Sequence, residues 1–421
     1  MDVIEGGVCA PKGFMAGGIR CGIKPSSAKK DLALVYSHNT CTAAAMFTTN
    51  KVKAASVQVT QENIKDGKLR AVIINSGNAN ACTGEAGLEA AKKMTRCTAE
   101  SLMIDPNDVA VASTGVIGVP LPVDVIEKNI AFLKANLTDD EQGHANALEA
   151  IMTTDIRIKE IAVEISIDSR TVRIGAMTKG SGMIHPNMAT MLAFITTDAA
   201  ITHSALDESL RYAVSKSFNR LTVDGDTSTN DMVLVMANGE AGNKQISREQ
   251  RAESREQGAE IEGLSDFDIF NEALEYVCVE LTKMMARDGE GATKLITVTV
   301  SGADCEETAE KLAKSVASSS LVKTACFGAD ANWGRVLCAL GYAGADFNPE
   351  KVSVFFKSHS SEIEVCRNGQ SAGFSEEAAK LILSEDEIEI LITLQNGNAK
   401  ASVWGCDLTY DYVKINGDYR S

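Results

Sequence analysis

The stretch EIAVEISIDSRTVRIGAMTKGSGMIHPNMATMLAFITT, residues 160–197, decides how the chain is read. Ile161, Val163, Ile165 and Ile167 alternate strictly, so they line one face of a strand. Val172, Ile174 and Ala176 resume the alternation after Asp168-Ser169-Arg170, which predicts a hairpin. The loop KGSGMIHPN (179–187) follows, and its two glycines permit unusual φ angles. Directly after it, Met191–Thr196 has the continuous apolar character of a buried strand. Thr190 therefore stands at a loop-to-strand junction, preceded by the small Ala189. Spacing alone favours a plain strand threonine there.

Outward from this stretch the pattern mixes helix and strand. Leu32–Tyr36, Ala71–Asn75, Val109–Ala112 and Val233–Met236 have strand length, as do runs near 295–300, 353–357, 362–366 and 387–395. Leu88, Ala91, Met94, Thr98 and Leu102 share one side of a helix. Val123, Ile126, Ile130, Leu133 and Leu137 step by three and four, with Pro122 suited to the first turn. Further helices are predicted over 206–218, 266–286 and 306–318. Strands and then helices occur on both sides of residue 190, which predicts two sheets covered by helices. No GxGxxG follows a strand and no GxxxxGK[ST] occurs, so a phosphate-cradling loop is unsupported. Residues 240–262 are rich in charge and Gln and read as a solvated excursion, either a helical hairpin or a loop.

Composition narrows the function classes. The 421 residues carry 41 Lys+Arg against 57 Asp+Glu, a net charge of −16. A nucleic-acid binder needs a basic face, and an anionic membrane surface attracts one, so both are disfavoured. No apolar run approaches the ~20 residues of a membrane helix. The start, MDVIEGGVCAPKG, has neither the basic nor the apolar region of a secretory signal. The 11 cysteines are odd in number and form no CxxC, which argues for reduced thiols in a cytoplasmic protein and against a metal cluster. Five histidines are present, none in HExxH and none beside a GxSxG, so no base is evident for an ordinary nucleophile.

What singles out Thr190 is resemblance. KGSGMIHPNMATML (179–192) resembles the self-cleavage segment of the ornithine acetyltransferase family, the bifunctional glutamate N-acetyltransferases of arginine biosynthesis. GGVCAPKGFMAGGI (6–19), FTTN (47–50), INSGNANACTG (74–84) and STGVIG (113–118) are similar to further family blocks. So are MTTD (152–155), DGDTSTND (224–231), RDGEGATK (287–294), GADANWGR (328–335) and YDYVKINGDYRS (410–421). The blocks span nearly the whole chain in the expected order, and the excursion at 240–262 lies outside all of them.

The resemblance implies an α+β fold, a four-layer α/β/β/α sandwich of the N-terminal-nucleophile kind. It implies that the precursor cuts itself between Ala189 and Thr190 into chains 1–189 and 190–421, which stay together as an α2β2 heterotetramer. Thr190 would then be the nucleophile, with its own new α-amine as base. That amine has a reference pKa of ~7.7–8.0, which explains why no histidine is needed. Thr190 would take acetyl from N-acetylornithine, releasing ornithine, and pass it to glutamate to give N-acetylglutamate. Thr114 and Gly115 would form the oxyanion hole. Thr153, Lys179, Thr190, Glu290, Asn416 and Ser421 would bind substrate. No cofactor or metal is implied; acetyl-CoA stays open as a co-substrate. Two rival classes stand beside this reading: a self-processing hydrolase resembling aminopeptidases, and a non-catalytic amino-acid-binding protein whose precursor stays intact.

Overall fold

The computed structural model describes residues 1–24, 28–185, 191–248 and 264–417. Strands β1 (Asp2–Ile4), β2 (Phe14–Ile19), β3 (Leu32–Phe47), β4 (Lys68–Asn75), β5 (Val109–Ser113), β6 (Glu160–Ile167), β7 (Arg170–Lys179) and β8 (Leu192–Thr197) belong to a first, nine-stranded sheet. The short β9 (Leu221–Thr222) belongs to a second sheet, and β10 (Met232–Ala237) completes the first. The first sheet runs β1-β6-β7-β8-β10-β3-β4-β5, with β2 also on β3. The predicted hairpin is present: β6 and β7 pair antiparallel through Ile167 and Arg170, and Asp168 and Ser169 between them both have positive φ, 50° and 59°. That is the primed two-residue turn whose twist matches the flanking strands.

Strand β3 decides the shape. The short strand expected at Leu32–Tyr36 is the first part of a 16-residue strand whose pairing with β4 shifts register between Tyr36 and Cys41. Its first half pairs with β2 and β4, and residues 42–47 pair with β10. In a flat sheet β7 would lie five strand spacings, ~24 Å, from β5. Yet Lys179 at the end of β7 is 3.5 Å from Thr114, which follows β5. Likewise Asn230, just before β10, reaches the carbonyl of Ser113 in β5 at 2.7 Å. The sheet is therefore folded over at β3 into two facing layers. Val35, Val72, Ile74, Ala110 and Ala112 from one layer meet Leu192, Phe194, Met232 and Leu234 from the other in a single buried cluster.

Helices cover the outer faces. Helices α1 (Ala55–Asn63), α2 (Gly84–Leu102) and α3 (Val123–Ala135) flank the β3–β5 layer, whose outer face contributes Leu34, Ile73 and Val111. Helix α4 (Glu141–Ile151) packs on β2 and into the interlayer cluster. Helices α5 (His203–Lys216) and α6 (Asp266–Arg287) pack on the other layer, against Val163, Ile174 and Ile195. This is the expected sandwich of helix, sheet, sheet and helix. Strands from both sides of residue 190 share its layers: β8 pairs antiparallel with β7 and is wholly buried. Helix α1 escapes a periodicity reading because its buried face is made of Ala55, Ser56, Val57, Val59 and Thr60, small or polar residues.

Beyond α6 the second sheet comprises β9 and β11 (Leu295–Ala303), β12 (Ser353–Lys357), β13 (Glu362–Arg367), β14 (Gln370–Ser371), β15 (Glu387–Thr393) and β16 (Ala399–Cys406). One face is covered by α7 (Glu306–Ser318), α8 (Ser320–Phe327), α9 (Trp333–Gly341) and α10 (Glu376–Leu383). Helix α11 (Tyr410–Gly417) ends the described chain. Of the 240–262 excursion, residues 240–248 form a turn and a bridge from Ile246 to Ile201, and the rest lies outside the described residues. If Phe194, 1% exposed, holds the two β layers together, Phe194→Ala lowers unfolding stability by about 3–5 kcal/mol in a denaturant melt; a midpoint unchanged from wild type would refute that interlayer role.

Candidate active site

The layer ends that the fold-over brings together converge on one cavity of about 290 Å³. Thr114 and Gly115, after β5, form one wall. Thr153 and Thr154, after α4, Lys179, the last residue of β7, and Gly182 contribute another. Ser228, Thr229 and Asn230 precede β10, Glu290 follows α6, and Asn416 lies on α11. Six of the positions singled out from sequence, Thr114, Gly115, Thr153, Lys179, Glu290 and Asn416, thus share this cavity. Ala189, Thr190 and Ser421 lie outside the described residues, although β8 begins two positions after Thr190.

Backbone geometry at Gly115 accounts for its residue type. Its φ is +134°, and a Cβ there would come within 2.6 Å of the Asn78 nitrogen. Only glycine combines that backbone with so close a neighbour. The Thr114 N–H donates to the Asn75 carbonyl at 2.9 Å, which fixes the turn leaving β5. Gly182 lies close to Glu290: a Cβ there would meet the movable carboxylate end of that side chain at 2.3 Å. Glu290 is held by its own N–H, which donates to Ser181 O at 2.8 Å, and by Asn416, whose Nδ2 donates to Oε2 at 2.8 Å.

Lys179 is 3% exposed, and burial lowers its pKa while Asp155 opposes that shift. Asp155 anchors the whole wall. Its Oδ1 accepts from Lys159 Nζ at 2.6 Å and from Gly180 N–H at 2.8 Å, and its Oδ2 accepts from Thr153 N–H at 2.9 Å. Burial alone would push this carboxyl up, but Lys179 and Lys159 hold it well below the usual carboxylate range. Lys159 Nζ also donates to Asp288 Oδ2 at 2.5 Å, and that oxygen accepts the N–H groups of Ile156 and Arg157. Burial pushes the Asp288 carboxyl up, with Lys159 opposing. The side chains of Asp155, Lys159 and Asp288 are at most 1% exposed. This ion triplet ties the loop carrying Thr153 to the segment carrying Glu290.

Sequence reasoning missed the triplet, and with it Asn230 and Asp231. Asp155, Asp288, Asn230 and Asp231 sit inside quoted blocks, MTTD, RDGEGATK and DGDTSTND, so the blocks were the available signal. Lys159 sits in none, and a lone lysine before a strand carries no mark of burial.

Comparison with known proteins identifies the family. A model of the ArgJ family matches residues 15–421. The chain belongs to the ArgJ family. It is 49% identical over 421 residues to the arginine biosynthesis bifunctional protein ArgJ of Caldanaerobacter subterraneus subsp. tengcongensis, covering all of both chains. It is 52% identical over 422 residues to the protein of the same name from Symbiobacterium thermophilum, again over all of both chains. It is also similar to the solved ornithine acetyltransferase of Mycobacterium tuberculosis complexed with ornithine: 41% identity, 44% of this chain, 97% of that chain and a TM-score of 0.41. As an ArgJ member the protein is an acetyltransferase of arginine biosynthesis, which sets aside the hydrolase and the binding-protein readings. Among the described residues no helix is long and apolar enough to cross a membrane.

Lys159→Met leaves two buried carboxylates without their shared cation, so it should cost about 3–5 kcal/mol of stability at neutral pH, read from a urea melt. The Asp155 share has a definite sign. A depressed carboxyl stabilises above its ordinary value of 3.8 and loses that contribution as pH falls through its folded value. A Lys159→Met melt that overlays wild type would remove the triplet from the account of the site.

Proposed function

We infer that the protein cuts itself between Ala189 and Thr190 into chains 1–189 and 190–421 and then moves acetyl from N-acetylornithine to glutamate through an acetyl-Thr190 ester. The observation that carries this reading is the convergence of Thr114, Gly115, Thr153, Lys179, Glu290 and Asn416, scattered from residue 114 to 416, on one cavity. In processing, the Thr190 hydroxyl attacks the Ala189 carbonyl; its proton passes to the departing nitrogen, and water opens the ester. In transfer, the freed α-amine takes the hydroxyl proton as Thr190 attacks the acetyl carbonyl. The Thr114 hydroxyl and Gly115 N–H then receive the negative charge that develops on oxygen.

Substrate charge matches the two walls. Glu290, oriented by Asn416, suits an ornithine ammonium, and Lys179 beside Thr114 suits a carboxylate. Thr153 is presented by Asp155, and Ser421 would close the pocket from the tail. The products are ornithine and N-acetylglutamate. No cofactor enters; acetyl-CoA is the second donor to be tested, since the curated relatives are named bifunctional. A cytoplasmic location fits the eleven free thiols, and the α2β2 heterotetramer is what the family resemblance implies. The antiparallel β7–β8 ladder supports cleaved chains that stay associated.

Denaturing mass spectrometry tests the processing: wild type should give two chains and Thr190→Ala one, and with acetylornithine alone the 190–421 chain should gain one acetyl mass. A Thr190→Ala protein that still splits after residue 189 would sink the nucleophile assignment. Thr114→Ala should lower kcat by ~10²-fold with a smaller change in KM, because the donor acts on developing charge. Near-normal kcat in that variant would take Thr114 out of the oxyanion hole.

A further inference from the structure

Two consecutive residues outside every role assigned above hold the two halves of the reaction centre. Asn230 is 5% exposed, and its Nδ2 donates to the carbonyls of Ser113 at 2.7 Å and Ala79 at 2.6 Å. Ser113 is the last residue of β5 and leads directly into Thr114-Gly115. Asp231 is fully buried, and its Oδ1 accepts the N–H of Met191 at 3.0 Å. Met191 is bonded to Thr190. The main chain at the same place is tied as well: Thr48 N–H donates to Asp231 O at 3.1 Å, and Met232 N–H donates to Met191 O at 3.2 Å. β10 then runs parallel to β8 with Met232 opposite Leu192, so this register carries into the sheet. The Oδ2 of Asp231 is buried without a hydrogen-bond partner among the described residues.

We propose that Asn230 and Asp231 act as one positioning pair, Asn230 holding the oxyanion-hole strand and Asp231 the peptide that follows Thr190, and thereby set the separation of nucleophile and oxyanion hole. The pair comes from a single rigid dipeptide, so any shift of one half relative to the other must strain both sets of bonds. Placement matters here because a misplacement near 1 Å at a reacting centre costs on the order of 10²-fold in rate.

Burial pushes the Asp231 carboxyl well above the usual range, and the Met191 N–H opposes that shift. An amide has the same acceptor and no charge, and asparagine should therefore replace Asp231.

The inference rests on the reading of Thr190 as nucleophile, and wild type run in parallel separates the two. Processing is followed by denaturing mass spectrometry, transfer by steady-state kinetics from pH 6 to 9, and folding by thermal melts. Asp231→Asn should process and turn over within about threefold of wild type, with a superimposable pH profile. Asp231→Ala and Asn230→Ala should each lose on the order of 10²-fold in kcat with little change in KM. A shifted pH profile or a tenfold loss in Asp231→Asn overturns the proposal, and this isosteric variant keeps the test valid if the alanine variants fail to fold. Alanine variants that fold and keep wild-type kcat overturn it too. A wild-type protein not cut at Ala189-Thr190 would instead defeat the underlying reading.

Discussion

The fold-over of the first sheet at β3 is the constraint on which the site depends. A strand that stays paired with β4 across a register shift while its other edge passes from β2 to β10 puts β5 over β10 and β7. Apart from Asn416 on α11, the polar groups of the cavity come from strand ends or loops, where backbone N–H and C=O groups are not used up by the ladder. The interlayer side chains, Val35, Ile74, Phe194 and Leu234 among them, keep the layers apart at a fixed distance. Close packing makes that distance stiff, so the wall carrying Thr114 and the wall carrying Lys179 cannot drift.

Polar groups buried at the end of such a sandwich have to be satisfied locally. Asp155, Lys159 and Asp288 do this with charge: one ammonium serves two carboxylates, and the backbone N–H groups of Thr153, Ile156, Arg157 and Gly180 add to it, while Asp288 Oδ1 stays without a partner among the described residues. A triplet of this kind need not add net stability, because desolvation offsets most of its Coulomb attraction. Its consequence is geometric. It fastens residues before the Ala189-Thr190 junction to residues after it, so the two sides are bound by ion pairs as well as by the β7–β8 ladder. Lys179 lies next to Asp155 on the same wall; burial lowers its pKa, and Asp155 and Glu290 oppose that shift.

Local reading worked where a local force decides the outcome. The β6–β7 hairpin, α2, α3, α6 and strands β11, β12, β13 and β15 of the second sheet follow from apolar periodicity, which reports which face meets the core, whereas β9, β14 and β16 are not among the expected strands. It failed at α1, whose buried residues are too small and too polar to leave a period, and at β3, where a short apolar run continues through Ser37, His38, Asn39 and Thr40 into a second pairing. Family blocks then located Thr114, Gly115, Thr153, Lys179, Glu290 and Asn416 one by one, without saying that they meet.

The amino-acid sequence by itself determined the fold class, the family and six of the cavity residues, because these are properties of residue types in order along the chain. Only the tertiary structure decided that Lys159 is a buried cation shared by Asp155 and Asp288, that Gly182 lies against the Glu290 carboxylate, and that Asn230 bonds to Ser113 while Asp231 accepts the N–H of Met191. Each of these depends on atoms brought together from positions as far apart as 79 and 230 or 159 and 288. Such contacts arise from the bend in β3 and the packing of α6, and no local periodicity or propensity encodes them.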